Sequence, residues 1–228
     1  MQFRRLAATL ALLLACASAQ AQRVPSGATA GDVALYARLL AMTDTRQLDT
    51  AIVDRALASH WPALRAAAAL AVGQIGAERS LTGAARLRGL LTASQPVVAA
   101  TAAYALGLLR DSGSVSGLAA SVDRSGAVAL EAAWALGEIG APARIELTRQ
   151  LQRNHPADVA IQLLLAVAKL RPLPLAQVRP YLRNTHPPVV WAAAYAITRT
   201  RAAGGVRDLI DLTDSPVAHT AVAGGNGK

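Results

Sequence analysis

The sequence is short of the residues that build disulfide bonds, aromatic cores and metal centres. Its 228 residues contain one cysteine, Cys16, so no disulfide can form within the chain and no paired-cysteine metal motif exists. Phenylalanine occurs once, and aromatic residues make up only 4% of the chain. The hydrophobic residues, 53% of the total, are mainly Ala, Leu and Val. This composition disfavours one thick core and favours closely packed helices, because Ala and Leu are strong helix formers.

Motifs of common active sites are also missing. The sequence has no G-x-S-x-G element and no phosphate-binding loop. Three of the four histidines fall at predicted turns. His155 and His186 are close copies about one repeat apart, which is too far for a shared coordination sphere. The four are His60, His155, His186 and His219. We therefore expect no catalytic residue, no metal site and no cofactor, and we predict that the chain itself is not an enzyme.

Arginine dominates the charged residues, and lysine and acidic residues are scarce by comparison. Only Lys169 and Lys228 among the 23 basic residues are lysine, and 14 acidic residues leave a formal net charge of +9. A basic chain can bind nucleic acid, an anionic surface or an acidic protein. No dense basic run is present, so we do not expect a nucleic-acid partner.

Helix-forming repeats take up most of the sequence. The clearest copy is the segment LEAAWALGEIG at residues 130–140. Its pattern returns at intervals of 34, 30, 31 and 30 residues when the copies are aligned on Gly73, Gly107, Gly137, Ala168 and Thr198. A period of this size is typical of stacked helical pairs. The aligned segment is the second helix of each pair, predicted at Ala63–Ile75, Val97–Leu109, Ala127–Ile139, Ala157–Leu170 and Val189–Arg199.

Proline marks the turn inside five of the six pairs. Proline costs no hydrogen bond at the first position of a helix, and Ser, Asp or Asn before it can cap the exposed amides. Gly126 occupies this place in one turn, and the others have Pro62, Pro96, Pro156, Pro187 and Pro216. We predict five pairs, part of a sixth, and a preceding helix that is capped by Gly31 and Asp32.

Two copies carry a resemblance to a known family. Residues 64–76 read LRAAAALAVGQIG, and residues 128–140 end in AAWALGEIG. They resemble the V-R-x-x-A-A-x-A-L-G-x-I-G pattern of HEAT repeats, in particular the short bacterial form named after phycobilisome lyases. The resemblance covers roughly Gln47 to Val217. It implies an all-α fold, a right-handed α-solenoid of about five to six antiparallel HEAT-like helix pairs, with the second helix of each pair on the inner side.

The chain departs from the family pattern at two positions. The arginine that follows the first apolar residue is present only as Arg65, and the glycine is replaced by Ala168 and Thr198 in the later copies. The His-Glu pairs of di-iron HEAT hydroxylases are absent. The resemblance is therefore strong for the fold and implies no particular activity, since such scaffolds serve many unrelated roles.

The first 21 residues have the features of a signal peptide. A basic start at residues 1–5 precedes the apolar run Leu6–Ala17 and two small-x-small cleavage patterns that end at Ala19 and Ala21. The run is too short for a membrane span. We predict export to the periplasm or the extracellular space. The alternative is a lipoprotein, because LLAC at residues 13–16 resembles a lipobox that would anchor the chain through Cys16.

The rest of the chain divides into three parts. Residues 22–30 contain Pro25, Ser26 and Gly27 and are predicted to be a flexible lead-in. Residues 31–223 form the repeat solenoid, and residues 224–228 form a flexible tail. The sixth pair is incomplete and has no polar capping unit, which favours a chain that is truncated from a longer protein.

Two groups of residues in the later repeats are candidates for binding a partner. Trp191 and Tyr195 share one helix face, where they are either core residues or anchors of an interface, in which Trp and Tyr are enriched. Between residues 144 and 201 nine basic residues accompany two acidic ones. These cations either stabilise helix C-termini or form a surface for an acidic protein partner that includes Arg179 and Arg183.

The sequence supports two functions. The first is an exported, monomeric, non-catalytic scaffold that mediates a protein–protein interaction, because solenoids present extended binding surfaces. The alternative is the accessory repeat domain of a secreted enzyme, such as a cyclophilin-type peptidyl-prolyl isomerase. The catalytic domain of such an enzyme would be missing from this chain.

Overall fold

The computed structural model describes residues 28–76 and 81–213. The predicted signal peptide, Cys16, most of the lead-in, the second helix of the sixth pair and the tail lie outside the described residues. Within the described ranges the chain contains helices and turns and no strand. The α-helices are α1 (Ala30–Thr45), α2 (Thr50–Leu57), α3 (Pro62–Ile75), α4 (Leu81–Leu90), α5 (Pro96–Leu108), α6 (Val115–Ser121), α7 (Ala127–Ile139), α8 (Arg144–Gln150), α9 (Ala157–Val167), α10 (Leu175–Val178), α11 (Pro187–Thr200) and α12 (Val206–Thr213).

Neighbouring helices pack against each other in chain order. The five helices that carry the repeat pattern, here called the signature helices, are α3, α5, α7, α9 and α11. Each packs against the helix that precedes it, which for α11 is α10 and a 3₁₀ continuation at Arg179–Arg183. Each signature helix also packs against the next one, and α1 covers α2 and α3. The predicted all-α fold of packed neighbouring helices is confirmed.

Glycine at the alignment position allows the signature helices to approach closely. A Cβ atom at Gly73 would lie 2.8 Å from the Cα atom of Ala105. A Cβ atom at Gly137 would likewise lie 2.8 Å from the Cα atom of Ala166. Both distances are below any normal contact between carbon atoms. The repeated glycine is therefore a packing residue of the scaffold.

The two copies without this glycine have a different local structure. Ala168 is buried, but it follows the end of α9 and no longer lies within a helix. Thr198 is exposed, and its hydroxyl donates a hydrogen bond of 2.9 Å to the carbonyl oxygen of Ala194. No described signature helix follows α11, so no close neighbour excludes a larger side chain at this position.

The helix starts confirm part of the turn prediction and correct the rest. Pro62, Pro96 and Pro187 are the first residues of their helices, as predicted. Pro156 instead lies one residue before α9 in an extended conformation. The predicted cap of α1 is wrong, because Thr29 is the N-cap. The Thr29 hydroxyl accepts a hydrogen bond from the Asp32 amide, and the Asp32 carboxylate accepts one from the Thr29 amide.

The predicted side-chain caps of the proline-led helices are also absent. Their N-cap residues make no capping hydrogen bond through a side chain. In two of the turns a polar residue stabilises the backbone just before the helix. Ser59 Oγ accepts a 3.0 Å hydrogen bond from the Trp61 amide, and Asn184 Oδ1 accepts one of 2.9 Å from the His186 amide.

Two predicted helices are shorter in the structure. The first helix of the fifth pair, which the repeat predicts at Leu175–Leu182, becomes 3₁₀ after Val178, because Pro180 has no N–H group to continue the α-helical hydrogen bonds. Helix α9 ends at Val167, three residues before its predicted end. None of the helices in residues 28–76 and 81–213 is long and apolar enough to cross a membrane.

Candidate functional site

The signature helices share a face that other helices leave open. The side chains three residues before the alignment point are half-buried or exposed in all five helices. Because the helices pack side by side in the same register, these side chains form one row across the protein. We call this row the aromatic stripe, and it consists of Leu70, Tyr104, Trp134, Leu165 and Tyr195.

The middle of the aromatic stripe is held by contacts between neighbouring helices. The rings of Tyr104 and Trp134 stack with their centroids 4.6 Å apart. Lys169 Nζ lies 5.7 Å from the centroid of a Trp134 ring and 2.5 Å from Glu138 Oε1. A cation at this distance from an indole is attracted by the ring quadrupole. These contacts connect α5, α7 and the end of α9, so the centre of the stripe is pre-formed.

The front end of the stripe opens into a groove between α1 and α3. The groove has a volume of about 240 Å³, and Tyr36, Leu40, Leu70 and Gln74 are among its lining residues. Leu40 is 52% exposed, so its apolar side chain faces the solvent. The stripe is therefore concave at this end, with an apolar wall provided by α1.

The back end of the stripe is an exposed aromatic pair on α11. The rings of Trp191 and Tyr195 stack at 5.3 Å with an interplanar angle of 13°. Trp191 is 56% exposed and Tyr195 is 37% exposed. This exposure excludes the core alternative for these two residues. Their role in binding a partner stays a prediction.

A polar row runs beside the aromatic stripe, and sequence reasoning missed it. One helical turn before the stripe residues stand Thr101, Glu131 and Gln162, and all three are half-buried. Burial raises the pKa of the Glu131 carboxyl above its ordinary value of 4.5. No described residue forms an ion pair or hydrogen bond with it. The signal was available in the sequence, because these polar residues occupy one repeat position.

Most of the basic residues of the later repeats have partners within the protein. The Arg144 guanidinium donates hydrogen bonds of 2.8 Å to the carbonyl oxygens of Arg171 and Pro172. Arg153 Nη1 lies 2.8 Å from Asp123 Oδ2. Six of the nine basic residues make such contacts: Arg144, Arg149, Arg153, Lys169, Arg171 and Arg179. These cations therefore connect parts of the scaffold. The helix-terminus interpretation fits Arg171, whose guanidinium donates a hydrogen bond to the Arg199 carbonyl oxygen in the last turn of α11.

The two predicted cations differ in whether they are paired within the protein. Arg179 Nε lies 2.8 Å from Asp208 Oδ2, and its Nη2 donates a 2.7 Å hydrogen bond to the carbonyl oxygen of Gly204. Arg183 is exposed and has no ion pair or hydrogen bond with any described residue. Both line a groove between the 3₁₀ segment and α12. Trp191 and Tyr195 are on α11, so the four predicted residues form two groups on different elements.

The described histidines lie at turns, where the sequence places them. His155 Nε2 lies 3.1 Å from the Gln150 carbonyl oxygen, and burial lowers the pKa of this imidazole. It lines a groove of about 440 Å³ together with Tyr181 and His186. The Tyr181 hydroxyl donates a 2.8 Å hydrogen bond to the Leu151 carbonyl oxygen, so this groove is built from turn residues that hold each other in place.

The described parts of the chain hold no group of three or more His, Cys, Asp or Glu side chains that is arranged to bind a metal ion. His219 lies outside the described residues. The aromatic stripe is the open surface that spans all five signature helices. Comparison with known proteins adds no assignment, since neither a family model nor a curated protein sequence matches this chain.

Proposed function

We propose that this protein is a non-catalytic scaffold of the HEAT type that binds a protein partner along the aromatic stripe. The observation that carries the proposal is the exposed stack of Trp191 and Tyr195 at the end of the aromatic stripe. Tryptophan and tyrosine dominate the energetic centres of protein interfaces, because they bury a large area with few rotatable bonds.

The proposed architecture is a right-handed α-solenoid of five to six antiparallel helix pairs. Its support is the contact pattern, in which each signature helix touches the preceding and the following one. Side chains also connect consecutive pairs at about one repeat length. Arg65 donates a 2.6 Å hydrogen bond to Gln95, 30 residues ahead, and Arg124 donates to the carbonyl oxygen of Leu91, 33 residues back. A solenoid with the signature helices on its inner side would present the stripe on a concave surface.

A protein is a better partner than a nucleic acid for this surface. Nucleic-acid binding needs a field of unpaired cations along the phosphate backbone. Here most cations of the later repeats are paired within the protein. Arg183 and Arg199 are exposed and unpaired among the described residues, and Arg199 lies one helical turn beyond Tyr195. An acidic group of the partner would fit beside the aromatic pair.

The location of this interaction is also part of the proposal. We propose that the protein is exported and acts as a monomer in the periplasm or outside the cell, with a lipid anchor at Cys16 as the alternative. Mass spectrometry of the mature N-terminus separates the two. A free N-terminus at Gln22 supports cleavage by general signal peptidase, and an acylated Cys16 shows a lipoprotein.

Site-specific photo-crosslinking tests the binding surface. A benzophenone amino acid replaces Trp191 in one variant and Ile145 in the control, because Ile145 is an exposed apolar residue (70%) on α8, away from the stripe. After irradiation in cells that make the protein, we expect a discrete adduct from position 191 and none of that mass from position 145. Equal adducts from both positions, or none from position 191, would contradict the proposal.

A further inference from the structure

An unpaired carboxylate lies beside the centre of the aromatic stripe. Glu131 is on α7, one helical turn before Trp134 and on the same helix face. Its side chain is half-buried, and no described residue offers it a cation or a hydrogen-bond donor. By contrast, Glu138 on the same helix is paired with Lys169. One carboxylate of this face, Glu138, is therefore paired within the protein, and the other, Glu131, has no partner among the described residues.

The partial burial of this carboxylate destabilises the protein, and the repeat does not require a charged residue at its position. A partly buried charge without a partner is destabilising, because it has lost part of its hydration. The equivalent positions in the neighbouring helices have uncharged Thr101 and Gln162. No charged group contributes to the pKa shift of Glu131, and burial is its cause. The surroundings of this carboxylate are therefore uncharged, and a cation from outside would restore its electrostatic balance.

We propose that the aromatic stripe binds an extended polypeptide segment whose lysine or arginine pairs with Glu131, while its apolar side chains pack on the stripe. This proposal rests on the proposed scaffold function and specifies the chemistry of the partner. Charge complementarity favours a basic side chain opposite Glu131. An acidic or neutral side chain would leave this carboxylate unpaired in an environment with less water. A partner segment that also has an acidic group near Arg199 can pair with both Glu131 and Arg199.

The spacing of the helices sets the spacing of the recognised residues. Helix α11 lies two signature helices beyond α7, and packed helices have axes about 8–10 Å apart. Glu131 and the Trp191–Tyr195 pair are therefore separated by roughly 16–20 Å, which an extended chain at about 3.3 Å per residue spans in five or six residues. The partner segment should carry a basic residue and a large apolar anchor at that spacing.

A peptide selection with matched variants tests this proposal. A phage-displayed library of random peptides is selected on the full chain, and the affinity of a selected peptide is measured by fluorescence anisotropy. We expect selected peptides to share a basic residue with an apolar anchor five or six positions away. Replacing that basic residue with glutamate should weaken binding by about tenfold or more. In Glu131→Gln this difference should fall to about threefold or less.

The control variant is Glu146→Gln, because Glu146 lies on α8 and is paired with Arg149 rather than with the stripe. It should keep the full preference for the basic peptide. Thermal melts of both variants confirm that they fold. Selection of peptides without a basic residue, selection of no peptide at all, or an unchanged preference in Glu131→Gln would overturn the proposal. A second copy of the chain as occupant would appear as a dimer in sedimentation that Glu131→Gln weakens, which also overturns it.

Failure of this proposal can be distinguished from failure of the scaffold function. Trp191→Ala should weaken binding of a selected peptide whatever the role of Glu131. If Trp191→Ala weakens binding and Glu131→Gln leaves the charge preference intact, the scaffold function stands and the role of Glu131 is refuted. If neither change alters the affinity, the aromatic stripe is not the binding surface and both proposals fail.

Discussion

At the scale of single residues, the contribution of an arginine ion pair to stability depends on the burial of the carboxylate that it pairs with. Helix α4 offers a matched comparison. Arg88 makes hydrogen bonds of 2.7 and 2.6 Å to Asp111, whose side chain is only 9% exposed. Arg86 pairs with Asp54, and both side chains are 40% or more exposed. Ion pairs exposed on both sides contribute little, because water screens them and holding the side chains costs entropy.

We therefore predict different effects on stability for the two arginines. Arg88→Ala should lower the free energy of unfolding by about 2 kcal/mol, because it leaves the buried carboxylate of Asp111 unpaired. Arg86→Ala should lower it by less than about 1 kcal/mol. Urea denaturation of both variants checks the prediction. Equal losses would show that burial does not decide the strength of these pairs.

The same pair predicts a pH dependence. Hydrogen bonds from Arg88, aided by its charge, hold the pKa of Asp111 below its ordinary value of 3.8. The unfolded chain then takes up a proton at higher pH than the folded chain, so this contribution to stability is present above pH 3.8 and is lost as the pH falls through the folded pKa. Between about pH 5 and pH 3, the free energy of unfolding should decrease less steeply with falling pH in Arg88→Ala than in the wild type. Denaturation curves recorded across this pH range measure the difference.

The two arginines predicted at a partner surface should also differ. Arg179→Glu places a carboxylate beside Asp208 and removes the hydrogen bond to Gly204, so we expect a loss of about 1–2 kcal/mol. Arg183→Glu touches no described partner and should change stability by about 0.5 kcal/mol or less. Circular dichroism melts measure both effects. Only Arg183→Glu is therefore a clean probe of an acidic partner.

At the scale of the element, glycine decides how closely two helices approach. Gly137→Ala would place a Cβ atom 2.8 Å from the Cα atom of Ala166, and we expect a loss of about 1–3 kcal/mol from overpacking. Gly89→Ala on α4 meets no atom within 4 Å and should gain about 0.5 kcal/mol from helix propensity. The melting temperatures of the two variants should move in opposite directions. A gain in Gly137→Ala would refute the packing role.

The repeat and most helix boundaries could be predicted, because small residues and proline report backbone constraints that act locally. Helix α7 has its predicted bounds, Ala127–Ile139. The capping role of Thr29 and the extended conformation of Pro156 were missed, since several nearby residues could cap or start these helices. The cross-pair hydrogen bonds could not be predicted, because they depend on which side chains about 30 residues apart become neighbours.

The candidate site was predicted only in part for the same reason. The spacing of Trp191 and Tyr195 predicts a shared helix face, and their exposure requires knowledge of what packs beside α11. The role of a charged residue in one copy of a repeat, such as Glu131, cannot be inferred until its neighbours in the structure are known. The pairing of Arg179 with Asp208 could not be predicted from the sequence, because the two residues are 29 positions apart.

At the scale of the whole molecule, the contacts repeat at a nearly constant sequence interval. Arg153 and Asp123 are 30 residues apart, and the hydrogen bond from Tyr181 to Leu151 has the same separation. Stability in such an arrangement is the sum of terms between neighbours. Most of the basic residues between residues 144 and 201 are paired within the protein. The aromatic stripe, which crosses all five signature helices, remains available for binding.

The affinity of the crosslinked partner for three forms of the protein tests the central claim most directly. Calorimetric titration compares the wild type, the double variant Trp191→Ala and Tyr195→Ala, and the control Ile145→Ala on α8. Loss of two aromatic anchors should weaken binding by about 3 kcal/mol or more, which is over 100-fold, and the control should bind like the wild type. Equal affinities of the double variant and the wild type would contradict a binding surface on the aromatic stripe.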